Sequence, residues 1–311
     1  MKNLKIIVAV LMIALGALLF FMSTSEKVVK AQKPIVAVTT FALYDIVKHI
    51  AADTVEIVNI LPFGVDPHSF EPTPQLMAKI EKSALVIYSG AGLEPWVAGF
   101  HFKSKAIDMS HFVKLRKLNS NEHELHEHHD SQCVHSTTDP HYWLDFKNMQ
   151  IATEVITKAL IELLPQNKAL YEKNEKKYIE MLQRLDSEYK KRLSSCKADT
   201  VVVSHNALGY LSRDYGFKVE SLTGLSPEAE PSAKDVTRIM NDIKKDGVTT
   251  IFFEHFVNDK VIKSIAKDTH INIDVFQPLG NITKDEAAAH LSYEDIMKRN
   301  LEKLSKALMC N

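Results

Sequence analysis

The chain has 311 residues, 45% hydrophobic and 25% charged, with a formal net charge of −1. That balance excludes a disordered or fibrous chain, and it carries no electrostatic footprint for nucleic acid. The length fits about two domains at ~150 residues each, and each half is long enough to bury a core.

The first residues have an export pattern. Lys2 and Lys5 precede an uncharged apolar run from Ile6 to Met22, as in a secretory leader. Ser23-Thr24-Ser25 and Ala31 offer small residues for cleavage. An uncleaved anchor is the alternative, since the run approaches the length of a membrane span. No cysteine lies near it to carry a lipid. Residues 1–31 are therefore read as a signal peptide and set apart from the fold.

Pro34–Thr39 is a short β-branched apolar run, read as a buried strand. A helix over Leu43–Ala52 and a strand over Val55–Leu61 follow, then a Pro- and Gly-rich loop over Pro62–Pro74. Gln75–Lys82 reads as helix, Ala84–Tyr88 as strand and Trp96–Phe102 as a short helix. Strands alternating with helices imply βαβ units and a parallel sheet. Residues 119–138 break the pattern; they are polar, without apolar period, and dense in histidine, as in a surface loop. Phe146–Leu164 resumes helical spacing until Pro165, and Asn167–Leu193 is a long charged helix of about 40 Å. Its apolar positions do not sustain a heptad, so it is read as a linker between two α/β halves, not a coiled coil. The alternation then returns: strands over Thr200–Val203, Lys218–Leu222, Thr249–Phe253 and Ile273–Phe276, and helices over Leu208–Tyr215, Ser232–Lys245, Asp259–Thr269 and Tyr293–Met309. The expected organisation is an N-terminal α/β lobe over 32–165, a linking helix over 166–196 and a C-terminal α/β lobe over 197–311.

Three of the 14 histidines sit at element junctions. His68 and His141 each close an Asp-Pro-His tripeptide, and His205 directly follows an apolar strand. Ligands of open α/β sheets gather beyond the carboxyl ends of strands, and neutral imidazole suits zinc. Taken singly each histidine is as well explained as a surface residue, and the spacing is not that of a zinc finger. The three cysteines are Cys133, Cys196 and Cys310. A Cys196–Cys310 bridge would tie down the C-terminus in an oxidising compartment, but the sequence leaves the pairing open.

Several motifs in order resemble one family: GVDPHSFEPTP at 64–74, DPHYWLDFKN at 139–148, SHNALGYLSRDYG at 204–216, LSPEAEPSAKD at 225–235 and PLGNIT at 278–283. They look like the metal-binding solute-binding proteins of ABC importers for zinc and manganese, of the TroA-like type. The resemblance implies two lobes with mainly parallel sheets, one long linking helix, and a metal in the cleft held by His68, His141 and His205. It implies a periplasmic monomer that hands zinc to a permease driven by a cytoplasmic ATPase. Manganese-type members carry Glu where His205 stands, so an imidazole there favours zinc. A manganese or iron carrier, or a metal-dependent surface adhesin, is the alternative within the family.

The chain departs from the family at the fourth ligand. Relatives place a carboxylate beside the Pro-Leu-Gly segment, whereas this chain has Gln277. Gln277 or a water is the expected fourth donor, with Asp66 and His255 as further candidates. Zinc-type relatives also carry a His-rich insertion before the second motif, here His123, His126, His128, His129 and His135. Imidazoles clustered on such a loop predict weak, multiple zinc binding, a collecting or sensing role apart from the transport site. A zinc hydrolase is the competitor from another class, with Glu71, Glu230 or Glu254 as general base. The loop string HELHEHH fails the His-Glu-x-x-His spacing that a metalloprotease helix needs.

Overall fold

The computed structural model describes Met12 and residues 32–118, 138–225, 230–255 and 260–311. The chain divides into an N-terminal unit, Met1–Lys33, and a compact unit, Pro34–Asn311, which holds the elements of the fold. The leader apart from Met12, the loop histidines between 123 and 135, and Cys133 lie outside the described residues.

The first half is built on strands β1 (Ile35–Val38), β2 (Glu56–Asn59), β3 (Leu85–Tyr88) and β4 (Lys105–Asp108) in the order β2-β1-β3-β4. All three pairings are parallel. The central strands read as continuous apolar runs because helices cover both sheet faces. Helix α1 (Phe41–Ala51) crosses from β1 to β2, and α2 (Pro74–Glu81) from β2 to β3. Thr73 caps α2 by accepting from the Leu76 N–H, with Pro74 at its first turn. The short helix expected at Trp96–Phe102 is a 3-10 turn over Pro95–Gly99, too brief between its proline and glycine for an α-turn to propagate. Strands β5 (Arg116–Lys117) and β6 (Thr138–Asp139) pair antiparallel, followed by α3 (Phe146–Leu163), capped by Asp145.

The linking helix α4 runs over Lys168–Arg192, 25 residues or about 37 Å. Its buried face is hydrogen-bonded to both halves. The Tyr178 hydroxyl donates to Asp45 Oδ2 of α1 at 2.8 Å. The Tyr189 hydroxyl donates to the Met297 carbonyl of the last helix at 2.7 Å.

The second half repeats the plan. Strands β7 (Thr200–His205), β8 (Lys218–Thr223), β9 (Thr250–Phe253) and β10 (Asn272–Val275) form a parallel sheet in the order β10-β9-β7-β8. Helices α5 (Gly209–Tyr215), α6 (Ala233–Asp246), α7 (Lys260–Thr269), α8 (Lys284–Ala288) and α9 (Tyr293–Ala307) complete it. Every residue of β7 is buried, as a central parallel strand requires. The principal hydrophobic cluster does not stop at either half: it runs from Val36 through Tyr142, Tyr189 and Phe252 to Leu308. Cys196, just past α4, is disulfide-bonded to Cys310. Among the described residues no helix is long and apolar enough to cross a membrane.

Candidate metal centre

The two Asp-Pro-His tripeptides fold alike. In each, the aspartate Oδ1 accepts the histidine backbone N–H, at 2.7 Å from His68 to Asp66 and 3.0 Å from His141 to Asp139. This Asx turn projects the imidazole from a tight bend that proline pre-shapes. His205 needs no such device, because it is the last residue of β7.

The segment after β10 holds the His68 loop in place. Asn281 Nδ2 donates to the carbonyls of Pro62 and Val65, both at 2.7 Å. The Gly64 N–H donates to the Ile282 carbonyl at 2.9 Å, from a glycine at φ +90° that a side chain would strain. Trp143 Nε1 donates to the Pro278 carbonyl at 2.6 Å.

These constraints bring the three imidazoles together. One ring nitrogen from each of His68, His141 and His205 lies within 4.8 Å of the others. His141 Nε2 and His205 Nε2 are 3.3 Å apart. A tetrahedral zinc with Zn–N bonds of ~2.0–2.1 Å has ligand–ligand edges of about 3.3–3.4 Å, so this pair already stands at the required edge. The opposite nitrogens are occupied by carboxylates: His141 Nδ1 meets Asp139 Oδ1 at 2.8 Å, and His205 Nδ1 contacts Glu254 Oε1. A carboxylate on one ring nitrogen fixes the tautomer and leaves the other lone pair for a metal.

Charge follows from this arrangement. Burial first, then the neighbouring His141 and His205, hold His68 well below the usual imidazole range. For His205 burial pulls the same way, but the charge and hydrogen bond of Glu254, helped by Asp66 and Asp139, outweigh it and raise the imidazole. Burial works to raise Asp139, yet its bonds from His141 and Arg116 prevail and lower it. The cavity the three rings share with Asp66, Glu254 and Asn281 has free space of about 10 Å³, room for roughly one water-sized sphere. That space matches the size of a single ion.

Gln277, expected with water as an alternative fourth donor, does not line this cavity. Its Nε2 donates to Glu286 Oε2 at 3.0 Å, and its Oε1 faces the Leu279 N–H at 3.4 Å. The physical reason is the capping box of α8, in which Thr283 and Glu286 bond each other's backbone and park the Glu286 carboxylate over the glutamine amide. His255 is exposed and does not line the cavity, whereas Asp66 does. Glu71 and Glu230 are exposed, and Glu254 is buried against His205. The sequence singles out neither Asp139 nor Arg116 nor Asn281 for a role. Asp139 has a signal, as the first residue of the second Asp-Pro-His tripeptide.

Two parallel α/β sheets with a histidine cluster fastened between their loops define a class, the metal-site solute-binding proteins. The family described as "ZnuA: Zinc-uptake complex component A periplasmic" matches residues 36–307. The chain is 33% identical over 286 residues to the high-affinity zinc uptake system protein ZnuA of Bacillus subtilis, covering 90% of this chain and 89% of that one. It is 31% identical to the zinc-binding lipoprotein AdcA of Streptococcus pneumoniae, covering 96% of this chain but only 60% of that longer protein. The crystal structure of the Zn(II)-bound ZnuA-like domain of AdcA superposes with a TM-score of 0.73 at 30% identity, covering 89% of this chain and 99% of that domain. The chain belongs to the ZnuA family.

Proposed function

We propose that this protein captures zinc outside the cytoplasm and delivers it to an ABC importer. His68, His141 and His205 bind one Zn²⁺ ion between the two halves, and a water completes the tetrahedron. Residues 1–31 direct export to the periplasm, where the protein works as a monomer. Its partner is a membrane permease with a cytoplasmic ATPase. The N-terminal lobe (32–165), the linking helix (166–196) and the C-terminal lobe (197–311) divide the labour: the first supplies two imidazoles, the last supplies one. The histidines between 119 and 138 collect zinc weakly ahead of the tight site.

One observation carries this reading: two Nε2 atoms stand at a zinc tetrahedron's edge, 3.3 Å apart, with a third imidazole beside them. An all-nitrogen protein shell is soft for manganese and well matched to zinc. Affinity follows from a site assembled before the ion arrives, which lowers the ordering cost of binding. The test is the metal content of the purified mature protein by mass spectrometry, with competitive zinc titration of wild type and His205→Ala. One tight equivalent of zinc is expected, weakened at least about 100-fold in the variant. A wild-type protein that retains manganese in preference, or binds zinc equally well without His205, would refute it.

A further inference from the structure

The carboxylate behind His141 is itself held from two directions. Asp139 uses Oδ1 for His141, both backbone N–H and ring. Its other oxygen, Oδ2, accepts from Arg116 Nε at 3.1 Å and Nη2 at 2.9 Å. Its backbone carbonyl accepts the Tyr210 hydroxyl at 2.8 Å, and that hydroxyl accepts the Arg116 N–H at 2.9 Å. Asp139 and Tyr210 are fully buried. Tyr210 lies on α5, the short helix that begins four positions after His205. Beside it on the same helix, Gly209 leaves the room that the Arg116 guanidinium occupies: a Cβ at 209 would land on that group.

We propose that Arg116, acting through Asp139, and Tyr210 are positioning residues that set His141 against His205, and that Gly209 is the contact that lets Arg116 do so. The physical basis is that a buried carboxylate oxygen left without a donor is costly, so the group turns to recover one. Arg116 supplies that donor to Oδ2, so Oδ1 stays on the His141 ring and Nε2 stays aimed at the ion. Tyr210 adds geometry, because it joins the helix after His205 to the backbone two residues before His141. The two ligands that stand at the zinc edge are therefore referenced to each other through protein rather than through metal. This inference rests on the reading that the three histidines bind zinc.

Gly209→Ala gives the sharpest test, since the methyl displaces the flexible end of Arg116 and touches no ligand. Zinc affinity by competitive titration, apo thermal unfolding and the visible spectrum of the Co²⁺-loaded protein are measured for wild type, Gly209→Ala, Arg116→Met, the double variant and Tyr210→Phe. Loss of a partner behind a ligand costs 10–100-fold in metal affinity, so each single variant is expected to weaken zinc by about that factor. The double variant should be no weaker than the worse single one within about threefold, because both changes act on one contact. The Co²⁺ bands should change in each. Wild-type affinity and an unchanged Co²⁺ spectrum in Gly209→Ala and Arg116→Met would overturn the proposal, as would losses that multiply in the double variant. Full affinity in Tyr210→Phe would remove the tyrosine from it. If wild type binds no zinc, the parent reading fails and this inference falls with it, a result separable from tight wild-type binding with indifferent variants.

Discussion

Replacing Glu254 by glutamine removes a charge from behind His205 and leaves an acceptor for its ring. Glu254 and His205 are both buried, at 7% and 2% exposure, so bulk water does not replace what is lost. With ~2 Å from ion to nitrogen, the carboxylate stands about 6 Å from a bound Zn²⁺. At an effective dielectric of about 20 their attraction has an upper bound of roughly 5 kcal/mol. Asp66 and Asp139 share the field of the ion, and measured losses for such partners run to only 10–100-fold, or about 1.4–2.7 kcal/mol. Glu254→Gln keeps the hydrogen bond and is expected to lose about tenfold in zinc affinity. Glu254→Ala loses bond, charge and packing together and should lose about 100-fold. Competitive titration against a chromophoric chelator at fixed pH reads both. Unchanged affinity in the alanine variant would refute the idea that the carboxylate holds His205 for the metal.

Other contacts set further outcomes. Gln277→Ala should leave zinc affinity within about threefold, because the amide faces Glu286 and not the cavity; a loss of orders of magnitude, read by the same titration, would restore Gln277 as a ligand. Cys196→Ser with Cys310→Ser opens a link between residues 114 apart, which should cost about 2–5 kcal/mol in urea unfolding with zinc affinity unchanged. Glu94 is buried and accepts from Thr39, Ser89 and Gly90, yet desolvation raises its carboxyl from 4.5 to about 7. The native state then holds a proton that the unfolded chain has released, so stability falls as pH rises from about 4.5 to 7, by about 3 kcal/mol in all. Glu94→Gln lacks this component, and the difference between the two urea-unfolding profiles should carry it; a flat difference would exclude it.

Much of the fold is legible in the sequence because its signals are local. Continuous apolar runs mark the central strands, the Asp-Pro-His tripeptides mark two ligand turns, and Ser232 at the start of α6 is an N-cap with a capping box. What the sequence hides depends on neighbours in space. Glu254 reaches His205 only because β9 pairs with β7, and sheet order is not written in the spacing of strands. Gln277 adjoins the Pro-Leu-Gly segment, but its direction is set by Glu286, nine residues on. Helix α8 escapes a reading by periodicity although Thr283-Lys284-Asp285-Glu286 carries a capping-box pattern, because five residues are too few to show an apolar period.

The two sheets share a plan, but among the described residues their crevices are filled differently. Strand order reverses between β1 and β3 in the first and between β7 and β9 in the second, and ligands of such sheets sit at that reversal. In the second half the reversal carries His205 and Glu254. In the first it is filled by the chain's own carboxylate. Glu94 takes the backbone N–H groups of Ser89 and Gly90 and the Thr39 hydroxyl, where Gly90, Ala91 and Gly92 all have positive φ. With that place taken, the first half must send its ligands from elsewhere, His68 from the loop after β2 and His141 from the turn after β6. They reach the reversal point of the other sheet, so neither half alone holds all three imidazoles. In the proposed site, affinity for a single ion depends on the register between halves, which α4 and the bonds from Asn281, Ile282 and Pro278 set.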